Sequence, residues 1–119
     1  MSDPVIDDAA FAQTLEMVGG DLGFVGQLVD EYRVDGAGRV ADMRTALAAG
    51  ASEDLRRAAH TLKGSSASLG ANALAAACRE VEAAARESRL DGLAPKVDAI
   101  AAGFDAAVAE LEQRVGSGR

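Results

Sequence analysis

The run Ala59-His60-Thr61-Leu62-Lys63-Gly64-Ser65-Ser66-Ala67-Ser68-Leu69-Gly70 decides how this chain is read. Its apolar and small positions fall at Leu55, Ala58/Ala59, Leu62, Ser65/Ser66 and Leu69, steps of three and four that mark one buried helical stripe. His60, the only histidine, lies off that stripe. At about 100° per residue, His60, Lys63, Gly64 and Ala67 share the opposite face, with Arg56 one turn before them. A water-facing imidazole thus has a cation beside it and a patch of bare backbone next to it.

Outward from this helix, the same signals recur along the chain. Asp7 and Asp8 open a short first helix carrying Phe11, Leu15 and Val18, because carboxylates there satisfy free amides and the helix dipole. Gly19-Gly20 ends it. Asp21 caps a second helix whose stripe is Leu22, Val25, Val29, Tyr32, Gly36, Val40, Met43 and Leu47, stopping at Gly50. That helix spans roughly 42 Å at about 1.5 Å per residue. Gly36 and Gly38 interrupt it and demand either close packing or a local bend. Ser52 is expected to cap the third helix, with Glu53 and Asp54 in its first turn, and Gly70 to close it. Asn72 is expected to cap a fourth, with Leu74, Ala77/Cys78, Val81 and Ala84/Ala85 inward, ending near Ser88. After a turn at Asp91-Gly92, the last helix repeats Leu93, Val97, Ile100, Phe104, Ala107/Val108, Leu111 and Val115, with Pro95 in its first turn where a missing amide costs little. Met1 to Pro4 and Gly116 to Arg119 read as loose ends.

Four amphipathic helices joined by short turns predict an all-α protein: an antiparallel up-and-down four-helix bundle with an additional short N-terminal helix lying against one end. The 119 residues are expected to form one domain, 1–119, with an ordered core over about 5–115. Hydrophobic residues make up 49% of the chain but aromatics only 3%, so the core must come from helices approaching closely over alanine and glycine, not from β-sheet. A net charge of -7 argues against nucleic acid or an anionic membrane as partner and favours a protein or small ligand. Cys78 stands alone on the fourth stripe and reads as a small buried residue. With neither a signal-peptide pattern nor an apolar run of about 20 residues, a soluble cytoplasmic protein is expected.

The exposed imidazole is the candidate for chemistry. It is a nucleophile near neutral pH, and a lysine one turn on can neutralise an anion held on the ring. Gly64 sits mid-helix at a cost of about 1 kcal/mol relative to alanine, yet clears the approach of a partner. Phosphoryl transfer needs this combination of positioning and charge neutralisation. One histidine and one cysteine cannot assemble the several inward ligands of a four-helix metal or haem site.

His60-Thr61-Leu62-Lys63-Gly64-Ser65-Ser66, followed by Leu69-Gly70-Ala71, Leu74, Cys78 and Val81-Glu82, resembles the histidine-containing phosphotransfer (HPt) domain of bacterial phosphorelays. Upstream, Gly19-Gly20-Asp21, Phe24 and Leu28 fit the family's second helix, so the resemblance spans nearly the whole chain. It implies a phosphocarrier: His60 takes a phosphoryl group from the aspartyl phosphate of one response-regulator receiver domain and passes it to another. Lys63 would hold phosphoryl oxygens, and Gly64 would admit the partner. Glu82 would accept from Nδ1–H of His60 and leave Nε2 free to attack, although Glu82 with Arg86 also reads as a plain i, i+4 surface pair. The resemblance further implies no cofactor of its own, Mg²⁺ supplied by the receiver, and a hybrid sensor histidine kinase as a second partner; a monomer is expected because the histidine face must stay free. Phe24 and Leu28 read equally as a docking patch or as core. The rival readings are a phosphoacceptor and dimerisation domain derived from a histidine kinase, or an inert helical interaction module. Thr61, where such kinases carry a carboxylate, and the lack of a Gly-rich phosphate loop argue against autonomous kinase activity.

Overall fold

The structure, a computed structural model, describes residues 3–116. Within them five helices follow one another: α1 (Asp8–Met17), α2 (Leu22–Ala49), α3 (Ser52–Ser68), α4 (Asn72–Arg86) and α5 (Ala94–Gly116). Among the described residues there is no strand, and no helix is long and apolar enough to cross a membrane. The loose ends expected at Met1, Ser2 and residues 117–119 lie outside the described residues, whereas Gly116, expected in the tail, is the last residue of α5.

Helices α2 to α5 form a closed ring in which α3 packs on α2 and α4, and α5 packs on α4 and α2. Short turns between neighbours make the ring antiparallel. The predicted stripes are the ones that meet inside: Val25, Val29 and Met43 of α2, Leu55 and Leu62 of α3, Val81 of α4 and Ile100 and Leu111 of α5 are all fully buried. Cys78 joins them, and burial pushes its thiol up to about 12. The molecule's longest dimension is 43 Å, the length of α2.

Asp7 and Asp21 cap α1 and α2 as read, accepting from the amides of Ala10 at 2.8 Å and Phe24 at 3.0 Å. The expected caps of α3 and α4 are corrected. Ser52 and Asn72 are the first helical residues, and Ala51 and Ala71 occupy the cap positions without a side-chain bond. The cause is the tightness of the turns. Gly50 and Gly70 are left-handed, at φ 68° and 88°, and the next amides, of Ala51 and Ala71, bond back to Ala46 and Ser66 carbonyls at 2.8 and 2.9 Å. The residue that closes one helix therefore also opens the next, and no position remains for a separate capping side chain.

Helix α1 lies across the α3–α4 turn. The Asp7 amide donates to the Gly70 carbonyl at 2.8 Å, and the Thr14 hydroxyl donates to the Ser68 carbonyl at 2.7 Å. Arg114 of α5 pairs with Asp8 and sits over the Phe11 ring, 5.2 Å from its centroid, which fixes the other side of α1.

Helix α2 runs unbroken through Gly36 and Gly38, so the alternative of a bend is replaced by close packing. A Cβ at Gly36 would collide with the ring of Phe104, which itself leans on Tyr32 with centroids 5.2 Å apart. Gly38 faces open space. Gly36→Ala should therefore destabilise, its overpacking cost of about 1–3 kcal/mol outweighing the gain in helix propensity. Gly38→Ala should stabilise by about 1 kcal/mol. Urea unfolding of both variants checks this, and a stabilised Gly36→Ala would contradict the packing described.

Candidate functional site

The site lies between α3 and α4, where small side chains let the two helices come close. Ala59, Ala75 and Ala85 are all buried on the facing sides of these helices. At its outer edge α4 presents Glu82, which is only 3% exposed despite its charge. A carboxylate in that position must be paired, because an uncompensated buried charge costs several kcal/mol (about 3–5).

Three donors meet it. Lys63 Nζ donates to Oε1 at 2.7 Å. His60 Nδ1 lies 2.8 Å from Oε2, and Arg86, one turn along α4, donates to the same oxygen at 3.3 Å. Burial is the largest influence on the Glu82 carboxyl and pushes it up, but the hydrogen bonds from Lys63 and His60, with their charges, outweigh burial and hold it below its ordinary 4.5. Glu82 is therefore ionised at neutral pH and can only accept. The proton in the His60–Glu82 bond sits on Nδ1, which makes Nε2 the unprotonated nitrogen of the neutral ring.

The His60 side chain is 60% exposed even though one nitrogen is anchored. Nε2 has no hydrogen-bond partner among the described residues. Gly64 is also exposed, and a Cβ built on it meets nothing within 4 Å. No internal packing calls for glycine there. Chemically, the arrangement is an imidazole locked in one tautomer with a free lone pair facing water, an ammonium close by, and an unobstructed helix surface one turn further on.

The structure thus brings together His60, Lys63 and Glu82, with Gly64 alongside. Lys63 is the residue whose surroundings differ most from the reading: its ammonium rests on Glu82, so the cation next to the imidazole is engaged before any anion arrives. Arg56, the other cation noted near His60, is held by Glu53 at 2.9 and 2.6 Å. The Glu82–Arg86 pair is not a surface pair, since Glu82 is buried while Arg86 is 64% exposed. Phe24 and Leu28 separate: Phe24 is exposed at 42%, whereas Leu28 is half-buried and lines a shallow groove between α2 and α3 with Tyr32, Ser65 and Leu69. Glu31 and Asp35 line it too, giving that groove an acidic side.

One supporting interaction was not read from the sequence. Ser66, on the buried stripe of α3, is bonded to the Tyr32 hydroxyl of α2 at 2.7 Å, and burial pushes that phenol up to about 12. The signal was present, since a serine on an apolar stripe needs a partner and the only tyrosine lies on the facing stripe. Among the described residues no group of three or more His, Cys, Asp or Glu side chains is arranged to hold a metal ion.

A family model described as "Hpt domain" matches residues 27–114. The crystal structure of histidine-containing phosphotransfer protein B (HptB) from Pseudomonas aeruginosa PAO1 is 29% identical, superposes with a TM-score of 0.88, and is matched over 99% of this chain and 100% of that one. The HPT domain from the Hpt sensor hybrid histidine kinase from Shewanella is 16% identical with a TM-score of 0.76, covering 95% of each chain, a likeness of fold. No curated protein matches the chain.

The depressed Glu82 carboxyl gives stability a definite pH dependence. Its contribution is fully present above the unfolded value of 4.5 and is lost as pH falls through the lower folded value. Glu82→Gln should cost about 1–3 kcal/mol at pH 7 and flatten the acid limb of stability. Urea midpoints measured from pH 7 downward check this; identical acid slopes for the two proteins would count against the pairing.

Proposed function

The chain belongs to the Hpt domain family, and on that premise we propose that it carries a phosphoryl group on Nε2 of His60 between the aspartates of receiver domains in a multistep phosphorelay. The observation that carries this reading is the hydrogen bond between His60 Nδ1 and the buried Glu82 carboxylate, which turns Nε2 outward as a lone pair.

The Nε2 lone pair attacks the phosphorus of a receiver's aspartyl phosphate, an N–P bond forms, and the P–O bond to the aspartate breaks with the electron pair leaving on its carboxylate. No proton leaves Nε2, because it held none. The ring becomes cationic as the bond forms, and Glu82 faces the positive charge at Nδ1. Lys63, three residues from His60 on the same face, offers its ammonium to the phosphoryl oxygens. Gly64 leaves the helix surface low enough for the receiver to seat its aspartate in line. Transfer to the second receiver is the same step reversed. The acidic pocket and Mg²⁺ belong to the receiver, and we assign this protein no cofactor of its own.

The partners we propose are a response-regulator receiver domain and a hybrid sensor histidine kinase, with the protein acting as a monomer so that the His60 face stays free. Closure of the four-helix ring within one chain supports this over a kinase-derived dimerisation domain, whose helical hairpin must find its partner helices in a second copy. We further propose that it has no kinase activity of its own. The residue after His60 is Thr61, without a carboxylate to act as base.

Mixing phosphorylated receivers with the wild type and with His60→Gln tests the carrier role: label should move to the wild type alone. Failure of every receiver encoded beside it in its genome to label the wild type would sink the proposal, and so would stoichiometric labelling from ATP and Mg²⁺ without an added kinase. Lys63→Ala should keep the helical fold and slow transfer on the order of tenfold, about 1.4 kcal/mol of transition-state stabilisation. Gly64→Gln should weaken transfer by bulk alone, seen as a raised half-saturating receiver concentration.

A further inference from the structure

Arg86 has no task in the transfer step, although it touches the one buried carboxylate on which His60 depends. We infer that Arg86 is a positioning residue that keeps Glu82 in place while His60 is phosphorylated, when Lys63 turns from the carboxylate to the phosphoryl group. The inference rests on His60 being the phosphoacceptor.

Before phosphorylation the work is divided unevenly. Lys63 holds Oε1 at 2.7 Å and His60 holds Oε2 at 2.8 Å, while Arg86 reaches Oε2 only at 3.3 Å from a side chain that is 64% exposed. A long, solvent-exposed contact of that kind adds little to a carboxylate already satisfied. A phosphoryl group on Nε2 changes the balance, because it places close to two negative charges within one helical turn of Lys63. The lysine ammonium is a compact point charge on a flexible stem, and it follows the larger charge. Oε1 then loses the only partner it has among the described residues while remaining buried.

Arg86 is placed to take that oxygen. Only one of its guanidinium nitrogens is engaged with Glu82, and the planar fork can hold both oxygens of a carboxylate at once. The other cation within electrostatic range, Arg56, is already tied to Glu53 by two hydrogen bonds from the same helix. Glu82 thereby keeps its grip on Nδ1–H throughout the cycle, and the proton is still on Nδ1 when Nε2 gives up the phosphoryl group.

Two measurements decide this. The first needs no phosphorylation: urea unfolding of the wild type, Lys63→Ala, Arg86→Ala and the double variant. Arg86→Ala alone should leave the midpoint within error of wild type. In the Lys63→Ala background the same change should lower it clearly, because Glu82 is left with His60 alone. An equal effect of Arg86→Ala in both backgrounds overturns the inference. The second loads His60 with phosphoramidate, whose N–P bond breaks with the protonated nitrogen leaving as ammonia while the new bond forms at Nε2. Proton NMR then follows Nδ1–H of His60. The wild type should show this resonance before and after loading, and so should Arg86→Lys, which keeps the charge. Arg86→Ala should show it only before loading, and its persistence afterwards overturns the inference. Should phosphoramidate leave His60 unlabelled, the carrier reading fails, while the unfolding cycle still decides whether Arg86 is the reserve partner of Glu82.

Discussion

A carboxylate buried at the seam of two helices is the constraint around which this protein is arranged. Glu82 is 3% exposed, and its charge is kept there by donors arriving from both helices. Without them the charge would be expelled or neutralised, since burial alone drives a carboxyl toward its protonated form. With them it remains ionised, and an ionised carboxylate dictates which imidazole nitrogen carries the proton. One electrostatic requirement thus settles the orientation of the ring, its tautomer and the direction in which its lone pair points.

The remainder of the bundle supplies the rigidity this requires. Hydrogen bonds under 3 Å from two side chains of α3 to one side chain of α4 hold only if the helices keep their spacing and register. Alanines along the α3–α4 seam set the spacing. On the opposite flank of α3, the buried Tyr32–Ser66 bond fixes its register against α2. Helix α2 is in turn seated on α5 through Phe104 against Gly36. Helix α1, fastened over the α3–α4 turn by Asp7, Thr14 and Arg114, closes the end of the bundle nearest that turn. The face carrying His60 and Gly64 is left uncovered.

Most of this architecture was legible in the sequence, because the stripes of α2, α4 and α5 repeat at helical spacing and the stops at Gly50 and Gly70 are unambiguous. Misreading of Ser52 and Asn72 as caps has a local cause: a polar residue after a glycine looks like a cap, but in a tight turn the residue between them takes the position. The burial of Glu82 was hidden for a different reason. A glutamate four residues before an arginine is the usual pattern of an exposed helix pair, and only the closeness of α3 and α4 places it inside. Its proximity to His60 was implied only by the family resemblance; that Lys63 would share it was not, since a lysine beside a histidine looks equally ready for solvent, for a carboxylate or for a phosphate.

The central claim is that Glu82 holds the proton on Nδ1 so that Nε2 is the reacting atom. The most direct measurement is the long-range ¹H–¹⁵N spectrum of His60 at neutral pH, repeated after loading from a phosphorylated receiver. The account predicts a protonated Nδ1 and an unprotonated Nε2 in the free protein, and phosphorus coupling to Nε2 in the loaded one. A free protein with its proton on Nε2, or a phosphoryl group found on Nδ1, would contradict it.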